Sequence, residues 1–475
     1  MSVPPCCVTS RYHGHMPIAL DGSTFYSCSE VAAACGLSRQ TIWRWRTDGS
    51  IPPGRTMRGR RVVFTAAELD VIRDYSSRAE ATQQAIGNSI YLDNAASTRP
   101  LEVVRQAVAR AMAVDFGNPS SAHRSGRNAR QALETAREAV AALVGAEPEH
   151  VHFTSGGTEA NNWLIRGAIE AGFHHIISTP IEHSSVLGAL TWAESQGVRV
   201  SYLPIAADGR VRTADLAHVD IDDQTLVSVQ WANNETGVLQ PITDLARETK
   251  RRGGWFHSDA AQAVGKLPIE LANSSLDAIT FTAHKFHGPQ GVGAAVIRKG
   301  LRVAPLLRGG SQERGLRVGT ENYPGIVGFG VAAEHRAATW RGFAKRARAL
   351  RDLLEHTLMT ELEGARINGC TDRVCTTSNL LLPGLDGQAF VAQLDARGVQ
   401  ISQSSACTNM RPESSYVLRA IGLSEEQAYS SFRFAVSEDT TFEACNRAAR
   451  EMIEVAELLG IRRMPATQCP IKEVA

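Results

Sequence analysis

The sequence predicts an α/β protein. A large domain with a mostly parallel sheet is followed by a smaller α/β domain and preceded by a small helix-turn-helix unit. Three observations predict it. The 475 residues are too many for one ordinary domain. From Ile90 onward, short apolar runs alternate with amphipathic stretches, as strands do with crossover helices. A segment before that point carries turn chemistry and charge of its own.

Residues 1–22 show no periodicity and read as a flexible tail. Residues 23–75 read as the front unit. "SEVAAACG" is a short helix ended by Gly36, and "LSRQTIWRWRTDG" a second one, capped by Ser38 and ended at Gly49. Helix, glycine-containing turn and helix make the helix-turn-helix pattern. "IPPGRTMRGRRVVF" reads as a hairpin wing, and "TAAE" at 65–68 as a capping box that opens a third helix. Seven arginines and one acid, Asp48, lie between Arg39 and Arg61, a basic footprint in a chain of formal charge +1. The segment resembles the winged helix-turn-helix domains of MerR-type regulators and phage excisionases. That resemblance implies DNA contact through Gln40, Thr41, Arg44, Arg58, Arg60 and Arg61, with Trp43 in the core. The alternative is a unit that binds protein or only folds beside the rest.

Residues 76–89 are polar and read as a linker. In the large domain, 90–335, the strands are "HVHFTS", "HHIISTP", "VRVSYLPI", "TLVSVQWANN", "GWFHSDAA" and "AITFTAHKF". The helices between them are "LEVVRQAVARAMAV", "NARQALETAREAVAALVG", "TEANNWLIRGAIEAG" and "ITDLARETKRRGG". The small domain, 336–465, opens with a long helical stretch and holds strands "SNLLLPG" and "SFRFAVS". Residues 466–475 read as a tail.

Composition narrows the function classes. Nine scattered cysteines without a CxxC argue against a disulfide framework or a zinc site and for a reducing interior. No apolar run is long enough for a membrane span, and the N-terminus lacks a signal-peptide core, so a cytoplasmic chain without membrane contact is expected.

Candidate chemistry sits at strand ends, where open α/β sheets bind ligands. Lys285 ends an apolar run in "FTAHKFHGPQGVG", where desolvation makes an amine nucleophilic and able to form a Schiff base. Asp259, in "HSDAAQAVGK", is placed to keep a pyridine nitrogen protonated. "FTSGGTEANN" offers the Gly157 and Thr158 N–H groups and the Thr158 hydroxyl to a phosphate. His183, in "STPIEHSSV", is a candidate ring-stacking or proton-moving group, and Asn234, in "WANNETG", a hydrogen-bond donor. Each alone is weak; a snorkelling lysine or a Gly-Gly turn explains it as well. Together they point to a pyridoxal-phosphate site.

The chain from Ile90 to about residue 460 resembles cysteine desulfurases of the NifS/IscS type, which have the class V aminotransferase fold. The matching segments include "YLDNAAST", "FGNPSSAHRSGR", "FTSGGTEANN", "NNETGVLQPI", "TAHKFHGPQGVGA", "GGSQERGLRVGT", "SSAC" and "PESSYVLRAIG", in the family's order. The resemblance implies the pyridoxal-phosphate-dependent transferase fold of type I and a homodimer. It implies that Lys285 binds the cofactor covalently, that Asp259 pairs with its ring nitrogen and that His183 stacks on the ring. Asn234 and Gln262 match contacts to the ring oxygen. Thr158, Thr282 and His284 match phosphate ligands beside the Gly157 backbone. Thr320 matches a phosphate contact supplied by the other subunit. Arg433 matches the residue that binds the carboxylate of L-cysteine, and Asn234 also faces the substrate. Cys407, in "QSSACTNMRPESSY", matches the nucleophile that takes sulfur as a persulfide, leaving alanine.

Three departures stand out: Gln290 where the family often has lysine, Ser404 in place of a glycine, and Ser437 in place of another. The tail does not resemble the ending with which housekeeping IscS docks its iron–sulfur scaffold. The sulfur-acceptor protein is therefore unidentified, and the front unit suggests delivery near nucleic acid, such as DNA phosphorothioation. Other readings are a DNA-binding regulator that senses the cofactor or an amino acid, a selenocysteine lyase, or an aminotransferase.

Overall fold

The computed structural model describes residues 18–20, 23–47, 49–57, 61–76, 89–114, 116–403 and 414–464. Cys407, Arg58, Arg60, Ser404 and the 466–475 tail lie outside them, as do residues 77–88 of the expected linker. The chain divides into two compact units, Met1–Ser89 and Ile90–Ala475.

In the first unit, helices Cys28–Ala34 and Arg39–Thr47 form the helix-turn-helix. Ser27 and Glu30 close a capping box on the first helix, and Ser38 Oγ accepts the Thr41 N–H at 3.0 Å on the second. Gly36 and Gly49 follow the helices with φ of +66° and +78°, the left-handed turn that glycine adopts without strain. Strands Arg55–Met57 and Arg61–Thr65 pair antiparallel as the wing. Thr65 and Glu68 cap the helix at 66–76. One strand was not foreseen: Ile18–Leu20, inside the expected tail, pairs with Ser23–Ser27. The core gathers Val31, Ile42, Ile51, Phe64, Leu69 and Ile72. Trp43, expected in that core, is 61 % exposed. The helical phase explains it. Ile42 faces inward, Trp45 lies three residues on along the same side and packs edge-on against Tyr75 at 5.0 Å, and Trp43 falls off that face.

In the second unit a seven-stranded sheet runs in the order Val151–Thr154, Gly293–Ile297, Ala278–Thr282, Trp255–Asp259, Thr225–Ser228, His175–Ser178, Arg199–Tyr202. All six expected strands are present. The seventh, Gly293–Ile297, is antiparallel to both neighbours. Its small residues let backbones approach: a Cβ at Gly293 would fall 2.7 Å from Gly156 Cα. All but the edge strand Arg199–Tyr202 are buried along nearly their whole length, as a sheet covered on both faces requires. A second, antiparallel sheet holds Arg366–Ile367, Thr377–Leu381, Ser431–Ala435 and Ser402–Gln403. Helix Tyr323–Glu361 runs unbroken through the expected boundary at 335/336. Its first half gives Ile326, Phe329 and Ala332 to the core of the large sheet. Its second half gives Leu350, Leu354 and Leu358 to the core of the small one.

Candidate active site

Ten residues singled out in the sequence line one cavity of about 490 Å³: Gly157, Thr158, His183, Asn234, Asp259, Gln262, Thr282, His284, Lys285 and Arg433. Strand ends place most of them. Asp259 closes its strand, Lys285 follows the strand ending at Thr282, and Gly157 opens the helix Gly157–Glu170.

Asp259 is held on both oxygens. Oδ1 accepts from the Ala261 N–H at 2.9 Å, and Oδ2 from Asn161 Nδ2 at 2.7 Å. Asn161 is the end of a buried one-way chain. Ser228 Oγ donates to His257 Nδ1 (2.9 Å), His257 Nε2 donates to Thr280 Oγ1 (3.0 Å), and Thr280 Oγ1 donates to Asn161 Oδ1. The first link, with Nδ1 as acceptor, requires a neutral His257, and full burial drives that imidazole's pKa down to about 3. The second Asn161 N–H reaches Ser185 Oγ at 2.9 Å, which lies 2.8 Å from His183 Nδ1. His183 caps helix Ser184–Ser195, accepting the Ser185 N–H on Nδ1. Its proton is therefore on Nε2. Burial lowers its pKa; Asp259 opposes and Lys285 adds to that shift.

Lys285 Nζ donates to the Ala95 and Ala96 carbonyls at 2.6 and 2.8 Å. Gln262 is clamped at both ends: Nε2 donates to Ala95 O at 2.9 Å, and Oε1 accepts from Lys266 Nζ at 2.7 Å. Burial first, then the Lys285 charge, lowers the Lys266 pKa to about 7. Thr282 Oγ1 donates to Val292 O at 3.0 Å, so it must turn to donate to a phosphate. His284 is pushed to about 4, chiefly by burial and then by Lys285 and Lys266.

Arg433 donates from Nη1 to Asn234 O at 2.8 Å and from Nη2 to Asp93 Oδ1 at 2.6 Å. Its Nε is buried without a hydrogen-bond partner, as is Asn234 Oδ1. Glu235, 2 % exposed, accepts from Ser415 Oγ, and burial raises its pKa to about 7. Tyr416 donates to the Glu182 carbonyl at 2.7 Å. The described residues on either side of the segment that holds Cys407 reach the cavity differently. Ser402 pairs with Arg433 on one side, and Ser414 and Tyr416 line the wall on the other.

Thr320 is exposed and does not line this cavity. In the front unit Gln40 and Arg44 are exposed. Thr41 is half-buried, its hydroxyl 2.9 Å from Ser38 Oγ, and Arg61 opens the wing strand. Gln290, one of the departures, donates to Ser97 Oγ at 3.1 Å. Sequence reasoning missed Asn161, Ser185, Asp93, Glu235 and Lys266 as parts of the site. All five lie in segments it had quoted ("TEANN", "EHSSV", "YLDN", "NNETG" and "AVGK"). Except for Lys266, whose partner Gln262 is four residues away, each has a partner distant in sequence that carries the signal. Among the described residues no group of three His, Cys, Asp or Glu side chains is arranged to hold a metal ion.

The residues present fit pyridoxal phosphate. An amine, a fixed carboxylate, a neutral imidazole and a helix N-terminus converge on one cavity, and Asn234 Oδ1 and Arg433 Nε are shut from solvent without partners.

Fold and site define a class V aminotransferase, and residues 90–442 match the family described as Aminotransferase class-V. Residues 25–71 match a Helix-turn-helix domain. A cysteine desulfurase of Nostoc sp. is 41 % identical over 322 residues, which are 67 % of this chain and 80 % of the relative. The structure of a NifS-like protein superposes with a TM-score of 0.73 at 35 % identity, covering 78 % of this chain and 100 % of that one. A structure described as SspA in complex with cysteine superposes with a TM-score of 0.66 at 34 % identity, covering 74 % and 99 %. The chain belongs to the cysteine desulfurases, a family of pyridoxal-phosphate enzymes that take sulfur from cysteine and transfer it. No helix among the described residues is long and apolar enough to cross a membrane.

Proposed function

We propose that this chain converts L-cysteine to L-alanine at the cavity around Lys285 and carries the sulfur away on Cys407. The observation that carries the reading is the convergence of the ten expected residues on that cavity. Lys285 would bind pyridoxal phosphate covalently. Asp259 would meet its ring nitrogen, His183 its face, and Gln262 and Asn234 its ring oxygen. Gly157, Thr158, Thr282 and His284 would hold its phosphate, with Thr320 reaching the site of a second subunit. When bound, the cofactor supplies an electron sink for the substrate's carbon atoms.

The protein's own groups do the rest. Arg433, with its buried Nε–H, binds the substrate carboxylate. Lys285 Nζ, which donates to the Ala95 and Ala96 carbonyls, would move protons at the substrate. The Cys407 thiolate attacks the substrate sulfur. The new S–S bond forms as the carbon–sulfur bond breaks, the electron pair stays with carbon, and protonation there gives alanine.

The front unit supports a second part of this reading: the enzyme is tethered to DNA through Gln40, Arg44 and the wing arginines, and delivers sulfur near nucleic acid. Scattered cysteines without a disulfide pattern fit a cytoplasmic setting. The test is alanine formation from L-cysteine in wild type and Cys407→Ala, with cofactor absorbance recorded in both. Wild type is expected to make alanine and persulfide, and the variant to bind cofactor and cysteine without turnover. A wild type that perturbs the absorbance without releasing alanine would contradict the reading and favour the amino-acid sensor.

A further inference from the structure

We infer that Lys266 is a positioning residue of the site: its buried side-chain nitrogen fixes which end of the Gln262 amide is presented to the cavity. The inference rests on the cofactor reading above, in which Gln262 meets the ring oxygen, and names the group that decides how it does so.

In "DAAQAVGK" the two residues stand four apart, just after the strand that ends at Asp259. The chain turns tightly there. Val264 N–H donates to Ala260 O at 2.9 Å, and Lys266 N–H to Ala263 O at 3.0 Å. Such a turn makes neighbours of side chains i and i+4, and Lys266 Nζ donates to Gln262 Oε1 at 2.7 Å. Both residues are buried. At the other end of the amide, Nε2 donates to Ala95 O at 2.9 Å, and the same carbonyl accepts from Lys285 Nζ at 2.6 Å.

Each contact runs one way. A carbonyl oxygen only accepts, and an ammonium only donates. The amide therefore has one orientation that satisfies both neighbours, with Oε1 toward Lys266. Turned over, it would set Oε1 against Ala95 O and Nε2 against Nζ. The observed orientation leaves the second N–H of Nε2 for a ligand in the cavity that Gln262 lines. A ring oxygen that carries negative charge needs that N–H end. Without Nζ, Oε1 would be a buried acceptor with no donor, and the amide could regain one only by turning.

Lys266 does not line the cavity itself. The charged groups that act on it are Lys285, Arg336 and Arg433, all cationic, together with the Cys375 thiol. A buried ammonium among cations is a cost to the fold, which an apolar side chain would avoid. What the lysine adds is a donor behind Gln262. Burial, and then Lys285, lower its pKa to about 7, and in either form Nζ has N–H groups to give.

The test uses the full chain loaded with pyridoxal phosphate. The absorbance of the bound cofactor is titrated with pH, since a hydrogen bond to the ring oxygen favours its anion and lowers the midpoint. Gln262→Met removes the donor and is expected to raise the midpoint by about 1 pH unit. Lys266→Met should raise it by a similar amount. In the Gln262→Met background Lys266→Met should add nothing, because the lysine acts through the amide. Lys266→Gln, uncharged but with an N–H to donate, should recover most of the shift. An unchanged midpoint in Lys266→Met overturns the inference. So does a shift that persists in full in the double variant, which would be a lost charge felt through space. If Lys266→Met does not fold, Lys266→Gln decides: a midpoint near wild type supports the inference, and one raised as far as in Gln262→Met overturns it. A wild type that takes up no cofactor, or a Gln262→Met with the wild-type midpoint, overturns the reading above and this inference with it, and each is told apart from the failure of Lys266 alone.

Discussion

Asp259 has both carboxylate oxygens occupied by fixed donors, whereas Arg433, lining the same cavity, keeps a buried Nε–H with no partner. The contrast extends to their neighbours. Gln262 is clamped at both ends and His183 has its tautomer set by the Ser185 N–H. Around Arg433, Asn234 Oδ1 is unpartnered and Glu235 is a buried carboxyl with a pKa raised to about 7. One wall is preorganised for a ligand that stays. The other leaves its strongest groups open for a ligand that comes and goes. Preorganised dipoles add most where nothing must rearrange at the moment of reaction, while an open, desolvated donor gains most when a charged partner arrives.

The contrast can be broken by substitution, beginning with the largest effect. Lys285→Ala removes the amine at the centre, so turnover of cysteine and covalent cofactor absorbance should both fall below detection. Residual turnover with an intact spectrum would remove Lys285 from its role. Arg433→Lys keeps the charge but loses the planar fork. The KM for cysteine should rise about 10- to 100-fold, as expected for about 1.5–3 kcal/mol in charge-assisted hydrogen bonds. A fall in kcat alone would place Arg433 on the wrong wall. Asn161→Ala cuts the buried chain behind Asp259 and also frees Ser185. About a tenfold loss in kcat is expected, with a shift of the cofactor absorbance that a merely structural loss would not give.

The smallest effect on turnover is expected for Glu235→Gln, and it shows in stability. The carboxyl's folded pKa of about 7 lies above its ordinary 4.5. Below about pH 4.5 the group is neutral folded and unfolded, and contributes no difference. As the pH rises toward and through 7, ionisation favours the unfolded chain, and stability is lost. Glutamine cannot ionise and still accepts from Ser415. The variant should match wild type near pH 4 and exceed it by about 1–3 kcal/mol near pH 8, measured by denaturant unfolding. A constant difference across that range would show that Glu235 stays charged when buried.

The preorganised wall was largely legible in the sequence because its residues end buried strands, and buried strands announce themselves as apolar runs. Asp259 and Lys285 were found that way. Asn161 was not, since a polar residue inside a helix carries no local sign of the partners 24 and 98 residues away. Strand Gly293–Ile297 was missed because "GAAVI" is short and lies next to a glycine-rich turn. The strand was needed to bring Gly293 against Gly156. Trp43 was misplaced because two tryptophans flank Arg44, and apolar character alone does not fix helical phase. The burial of Ile42 does.

The most direct measurement is the mass of the Cys407 peptide from wild-type enzyme treated with L-cysteine and digested without reductant. A peptide one sulfur atom heavier, absent in Lys285→Ala and removed by a thiol, is the result predicted here. An unmodified Cys407 peptide alongside stoichiometric alanine would contradict the account, because sulfur would then leave the site without passing through that residue.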